Sequence, residues 1–204
     1  MLRRYLHLAA LAALTLLLSG CGYNEIQRQD EQVKAAWSQV LNQYERRADL
    51  VPKLVASVNA YMVNERTVLR QVTEARARVG QIRVSADDLD DPALIARFEQ
   101  AQGALSSSLS RLLAVSENYP QLKSDGLFRD LMTQLEGTEN RISVARERYV
   151  GAVQAYNLTI RQFPTLITAR MFGYQPKAQY GLDKADTVTR DPEVKFDLPP
   201  ERTQ

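Results

Sequence analysis

An all-α fold, an up-down antiparallel bundle of about four long helices, is what three features of this 204-residue chain predict. Apolar side chains recur in steps of three and four from Tyr23 to about Phe163, the period of a helix face. No stretch stands out with the period of two that marks a strand. The interruptions fall where turns are cheap, at residues such as Pro52, Gly80 and Pro120. Narrow stripes on helices this long cannot be hidden within one helix, so the helices must pack lengthwise on one another.

The elements follow in order. Residues 1–20 have the layout of a removable secretory leader: Arg3 and Arg4, an apolar run from Tyr5 to Leu18, then Ser19 and Gly20. The run is short of the roughly 20 residues that span a bilayer. Leu18-Ser19-Gly20-Cys21 resembles the bacterial lipoprotein box, which makes Cys21 a candidate for lipidation and the membrane anchor of the processed chain. Two or three acyl chains hold a protein durably where one does not. Gly22 is not the aspartate that resembles an inner-membrane retention signal, so an outer-membrane position facing the periplasm is favoured where the cell has two membranes.

The second domain, residues 21–172, carries the helices. Tyr23, Ile26, Asp30, Val33, Trp37, Val40 and Tyr44 form a heptad seam with one charged member. A stop is expected at Ala48 to Pro52, where Asp49 would cap the next helix and Pro52 would sit in its first turn. The second seam runs Leu54, Val58, Tyr61, Glu65, Val68, Val72, Ala75 and Val79, ending near Gly80. The acidic stretch to Pro92 lacks the oxygen spacing and glycine of an EF-hand and reads as a solvated loop and helix cap. A third helix is expected from about Asp91 to Asn118, with Leu94, Phe98, Ala101, Leu105, Leu109 and Leu112 on its stripe. A fourth, from about Lys123 to Gln162, carries Leu131, Leu135, Thr138, Ile142, Ala145, Tyr149, Ala152 and Tyr156. Leu166 to Phe172 fits one short helix stopped by Gly173, and residues 173–204 read as a Pro-containing polar tail, poorly ordered, with contacts such as Val194 and Phe196 docking on the bundle.

Rare residues narrow the chemistry. The only histidine is His7 and the only cysteine Cys21; without the leader the chain has no histidine, and its cysteine is its first residue. That excludes Ser-His-Asp and Cys-His machinery, histidine-ligated metal and intrachain disulfides, and calls for no cofactor. Of 26 basic and 24 acidic residues, Arg3 and Arg4 leave with the leader, so the remainder balances and nucleic acid is not an expected partner.

Three stretches together are specific enough to name a family. They are Val33-Lys34-Ala35-Ala36-Trp37-Ser38-Gln39-Val40, the run from Arg46 to Val55, and Leu135-Glu136-Gly137-Thr138-Glu139-Asn140-Arg141-Ile142. With Thr73 to Arg78 and Tyr149 to Asn157 followed by Phe163-Pro164, they resemble the LemA family of bacterial envelope proteins. The resemblance implies a long-helix bundle with its N-terminus at a membrane, and no established enzyme activity. Many relatives have a longer apolar anchor where this chain has a lipoprotein box.

Trp37 on the first seam is core filler whose indole N–H needs one partner. Arg46, Arg47 and Asp49, at the expected junction, join two helices through a cap and an ion pair; the sharper alternative is a docking patch for carboxylates or lipid phosphates. Glu65, Asn140 and Arg141 are candidates for a buried polar layer that fixes register. The function expected is a non-catalytic scaffold or accessory protein of an envelope complex, bound to the membrane through Cys21 and to an envelope protein partner. A histidine-free hydrolase using two carboxylates on envelope glycans is the alternative from another class, and a single-pass protein with an uncleaved anchor is the third.

Overall fold

The computed structural model describes residues 2–180, with side chains followed essentially from Gly22 onward. Cys21's side chain, and Val194 and Phe196 with the rest of 181–204, lie outside the described residues. Among the described residues six α-helices follow one another: α1 Leu2–Asn59, α2 Arg66–Gln81, α3 Pro92–Ser116, α4 Pro120–Ser124, α5 Gly126–Thr159 and α6 Thr165–Phe172, with a 3₁₀ turn at Ala86–Asp88. Among the described residues no helix is long and apolar enough to cross a membrane. The expected all-α bundle is what forms.

α1 lies along α5 in antiparallel register: Trp37 meets Tyr149, Arg47 meets Glu139 and Tyr61 meets Asp125. α2 packs on α3, and α6 folds back on the first turns after residue 21 of α1. The helix starts are set by local chemistry. Asp91 caps α3, accepting from the amides of Ala93 at 2.9 Å and Leu94 at 3.1 Å, with Pro92 in the first turn. Asp125 caps α5 through the amide of Phe128 at 2.9 Å. In the acidic loop, Ser85 and Asp88 close a reciprocal box.

The junction expected at Ala48–Pro52 does not exist. α1 runs through it, with Pro52 inside the helix and Asp49 exposed in mid-helix, capping nothing. An interior proline costs on the order of 3 kcal/mol, partly because the carbonyl four residues before it loses its donor. That carbonyl is Ala48's, and the Nε of Arg76, reaching across from α2, donates to it at 2.9 Å. A side chain from a second helix thus replaces the missing N–H. Arg76→Ala is expected to destabilise by about 1–2 kcal/mol by stranding this acceptor. In a Pro52→Ala background the helix supplies its own donor, and the same mutation should cost markedly less; urea unfolding of the four-member cycle measures the coupling.

The helix break falls later. α1 ends at Asn59, and residues 60–65 turn the chain, with Met62 fully buried beneath the turn and accepting from the amide of Glu65 at 3.0 Å. Glu65 is therefore the residue preceding α2, not a member of a continuous seam.

The core divides into two apolar halves. One gathers Ile26 to Tyr44 of α1, Ile95 and Phe98 of α3 and Ile142 to Tyr156 of α5. The other gathers Leu50 to Val58, Leu105 to Leu112 and Phe128 to Leu135. Between them α1, α3 and α5 each present polar residues: Arg47, Gln102 and Thr138, all buried.

Candidate functional site

Arg47 is the centre of this polar layer. It continues the α1 seam from Tyr44 to Val51, so the helix turns it inward, and its side chain is only 2% exposed. One terminal nitrogen donates to Glu139 of α5 at 2.8 Å and to the hydroxyl of Ser106 of α3 at 2.7 Å. The other donates to the backbone carbonyl of Gln102 at 3.2 Å and to its side-chain oxygen. The guanidinium also lies over the ring of Tyr44, 5.0 Å from its centre. Only Nε has no acceptor. One cation thereby binds three helices. Glu139 keeps part of its carboxylate in water, its side chain being 43% exposed.

Beside Arg47 a cavity of about 300 Å³ opens, with Glu99, Glu139, Arg146 and Tyr180 among its walls. The phenols of Tyr44 and Tyr180 share a 2.6 Å hydrogen bond, and the Arg146 guanidinium stacks 4.2 Å above the Tyr180 ring. Burial raises both phenols above their ordinary range, and raises Tyr156 to about 12. They serve as neutral hydrogen-bonding groups at physiological pH. Among the described residues no group of three or more His, Cys, Asp or Glu side chains is placed to hold a metal ion.

The stretch after α6 forms a strap over the same half of the core. Asn157 holds the backbone of Lys177 from both sides, donating to its carbonyl at 3.0 Å and accepting from its amide at 2.9 Å. The amide of Ala178 donates to the carbonyl of Leu89 at 3.0 Å. Lys177 Nζ pairs with Asp30 at 2.8 Å, both groups largely out of solvent, and Lys34 holds the other Asp30 oxygen at 2.9 Å. This explains the one acid on the first seam. It also places the start of the expected tail, residues 174–180, against the bundle.

Burial alone would raise the Asp30 carboxyl, but hydrogen bonds and charge from Lys177 and Lys34 outweigh it and hold the group below the usual carboxylate range. A depressed carboxyl stabilises the fold above its unfolded value, and that contribution is lost as pH falls through the folded value. Stability of the wild-type chain should therefore fall on acidification below about pH 4. Asp30→Asn should be weaker at neutral pH and flatter in that acid limb, as read from urea midpoints across the range.

The residues singled out from sequence meet different fates. Arg47 is the key to the layer. Arg46 is exposed, and Asp49 is exposed beside it, because the helix continues instead of turning. Glu65 does not meet Asn140 or Arg141. It sits at the turn before α2, where Tyr119 donates to it at 3.4 Å. Asn140 and Arg141 point outward from mid-α5, and Arg141 donates to Gln43 of α1 at 3.3 Å and to Thr138 at 3.1 Å. A buried polar layer exists, but it is made of Arg47, Gln102 and Thr138, with the half-buried Ser106 and Glu139 at its edge as partners of Arg47. The signal for Gln102 lay in the α3 stripe, where it falls between Phe98 and Leu105 at helical spacing. Trp37 is fully buried against Phe98 and Tyr149, and its indole donates to the carbonyl of Val84 at 3.3 Å.

Comparison with known proteins bears on this arrangement. The profile of the LemA family matches residues 36–196, which takes in the layer, the strap and all helices but the start of α1. The chain is similar to magnetosome protein MamQ 2 of Paramagnetospirillum magneticum, 34% identical over 102 residues, which cover 49% of this chain and 37% of that protein. It is similar to magnetosome protein MamQ of Magnetospirillum gryphiswaldense at 30% identity over the same share of each chain. To Protein LemA of Metamycoplasma hominis it is 24% identical over 168 residues, 82% of this chain and 73% of that one. The match thus spans little more than a third of the length of the MamQ proteins.

Proposed function

The chain belongs to the LemA family, and from that premise we propose that it is a membrane-anchored protein of the bacterial cell envelope, held by an acylated Cys21 and acting as a non-catalytic scaffold or accessory subunit of an envelope complex. The observation that carries the reading is the use made of the buried polar groups. Arg47 is engaged by Glu139, Ser106 and Gln102, and Lys177 by Asp30; these contacts join helices and strap, and those of Arg47 occupy polar groups that border the cavity beside it. What is left for function is the outer surface of a long, stiff bundle, which suits docking. Gly22 after the anchor cysteine, in place of a retention aspartate, supports periplasmic exposure at the outer membrane where two membranes exist.

Site-specific photocrosslinking in cells, with probes on exposed positions such as Asn140, Arg141 and Arg46, tests the scaffold reading. A discrete crosslinked protein, lost when the probed face is mutated, is the expected result. A uniform lack of adducts, with surface variants indistinguishable from wild type in envelope-integrity assays, contradicts it.

A second reading rests on one feature: Glu99 and Glu139 line a single cavity, as a carboxylate hydrolase would need. Against it, Glu139 is committed to Arg47. Release of soluble fragments from purified peptidoglycan by the protein, abolished by Glu99→Gln, would establish that activity in place of the scaffold role.

A further inference from the structure

We propose that α6 and the turn leading into it form a second membrane contact, an apolar foot that lies in the headgroup region of an anionic bilayer beside Cys21. The inference rests on the reading of residue 21 as the membrane-proximal end of the bundle. Exposed apolar side chains concentrate here: Phe163 is 80% exposed, Met171 67%, Ile167 60%, Phe172 57% and Leu158 54%. Leu127 at 61% and Val63 at 56% are exposed at the opposite end, but as single side chains, which need no explanation; the five gathered around α6 form a group, and such a group marks a surface that is covered in use. Ile167 and Met171 are one turn apart and share a face of α6, while Thr168 and Ala169 on its other side are buried against the bundle.

Position identifies what covers it. α6 rests on Gly22, the residue after Cys21: a Cβ there would lie 3.1 Å from the Thr168 hydroxyl and 3.4 Å from the Thr165 methyl. The ring of Phe172 meets Tyr23 at 5.2 Å. An anchor on residue 21 thus brings α6 to the bilayer surface, whether that anchor is a thioether lipid or an uncleaved apolar helix. Charge agrees. From Arg148 to Leu182 the chain has no Asp or Glu and four cations, Arg148, Arg161, Arg170 and Lys177. Lys177 is occupied by Asp30, while Arg161 and Arg170 are exposed beside the apolar residues. The nearby acid Glu25 is held by Arg28 at 2.6 Å. An apolar face flanked by arginines and free of acids is the chemistry of an element that lies in the interface of an anionic membrane. The contact would add to the anchor and fix the tilt of the bundle, setting the direction in which its far end projects.

The test uses the full chain purified from membranes and returned to vesicles of phosphatidylethanolamine and phosphatidylglycerol, with an environment-sensitive fluorophore on Met171→Cys and, as control at the opposite end, on Val63→Cys. The Met171 label should emit to the blue of the control, lose most of its emission to nitroxide-labelled lipid and resist aqueous iodide, while the Val63 label behaves in the opposite way. A Met171 label quenched by iodide as freely as the control overturns the proposal. A label shielded from both quenchers also overturns it, and indicates a second copy or a partner protein on the patch. An acylated Cys21 has no free thiol, so the parent chain should take no label; a parent that does take it refutes the lipid anchor independently of what Met171 reports.

Discussion

Arg47→Ala is expected to lower the stability of the bundle by about 3–5 kcal/mol, the range for removing one partner from a buried charged network. In a domain of this size that is a Tm lower by roughly 10 °C. The loss does not come mainly from Coulomb attraction, since the partner Glu139 is 43% exposed and solvent screens it. It comes from the side-chain oxygen of Gln102, which is buried and would be left without this donor, and from the volume the guanidinium vacates between α1, α3 and α5; the Gln102 carbonyl keeps its helical amide donor. Glu139→Gln should therefore cost under about 1 kcal/mol, because an amide oxygen still accepts from Arg47 and the rest faces water. Urea unfolding of the two variants separates the explanations: equal losses would mean that the ion pair, not the anchoring of Gln102, is what matters.

Trp37→Ala should cost a similar amount, about 3–5 kcal/mol, through a different mechanism. The indole is fully buried, with ring centres 5.6 Å from Phe98 and 5.1 Å from Tyr149, and removing it opens a cavity where α1, α3 and α5 converge. Trp37→Phe keeps most of the contact area and strands only the carbonyl of Val84, so its loss should be near 1–2 kcal/mol. Both figures are read from thermal or urea unfolding followed by circular dichroism.

These sites show how far the sequence could be read. Helix faces were legible because burial follows the heptad: Ile26, Val33, Trp37, Val40 and Tyr44 are all in the core. The same rule held the correction to the misplaced junction. Tyr44, Arg47, Val51, Leu54 and Val58 keep one phase through Pro52, and a helix that truly stopped there would have had no reason to preserve it. The proline suggested a break because its missing N–H is normally fatal to a helix interior. The remedy, Arg76 donating to Ala48, joins residues far apart in sequence and leaves no local trace. Asp30 was visible as an anomaly on the seam, but its partner Lys177 lies on a strap without periodicity, so no pattern linked them. The turn at residues 60–65 went unseen because it contains neither Gly nor Pro; the expected seam passed through Tyr61, which is 38% exposed, whereas its neighbour Met62 is the one buried. Of the polar layer, Arg47 and the stretch holding Glu139 stood out as motifs, whereas their meeting with Gln102 and Ser106 depends on the stagger of α3 against the α1–α5 pair.

The anchor at Cys21 governs the remaining functional reading, since it decides which end of the bundle meets the membrane and places α6 there. Intact-mass and peptide mass spectrometry of the protein extracted from its own membranes tests it most directly. The expected N-terminal peptide begins at Cys21 and carries the mass of a diacylglyceryl group, with or without a further acyl chain. A peptide beginning at Met1, or an unmodified Cys21 in the processed chain, contradicts lipid anchoring.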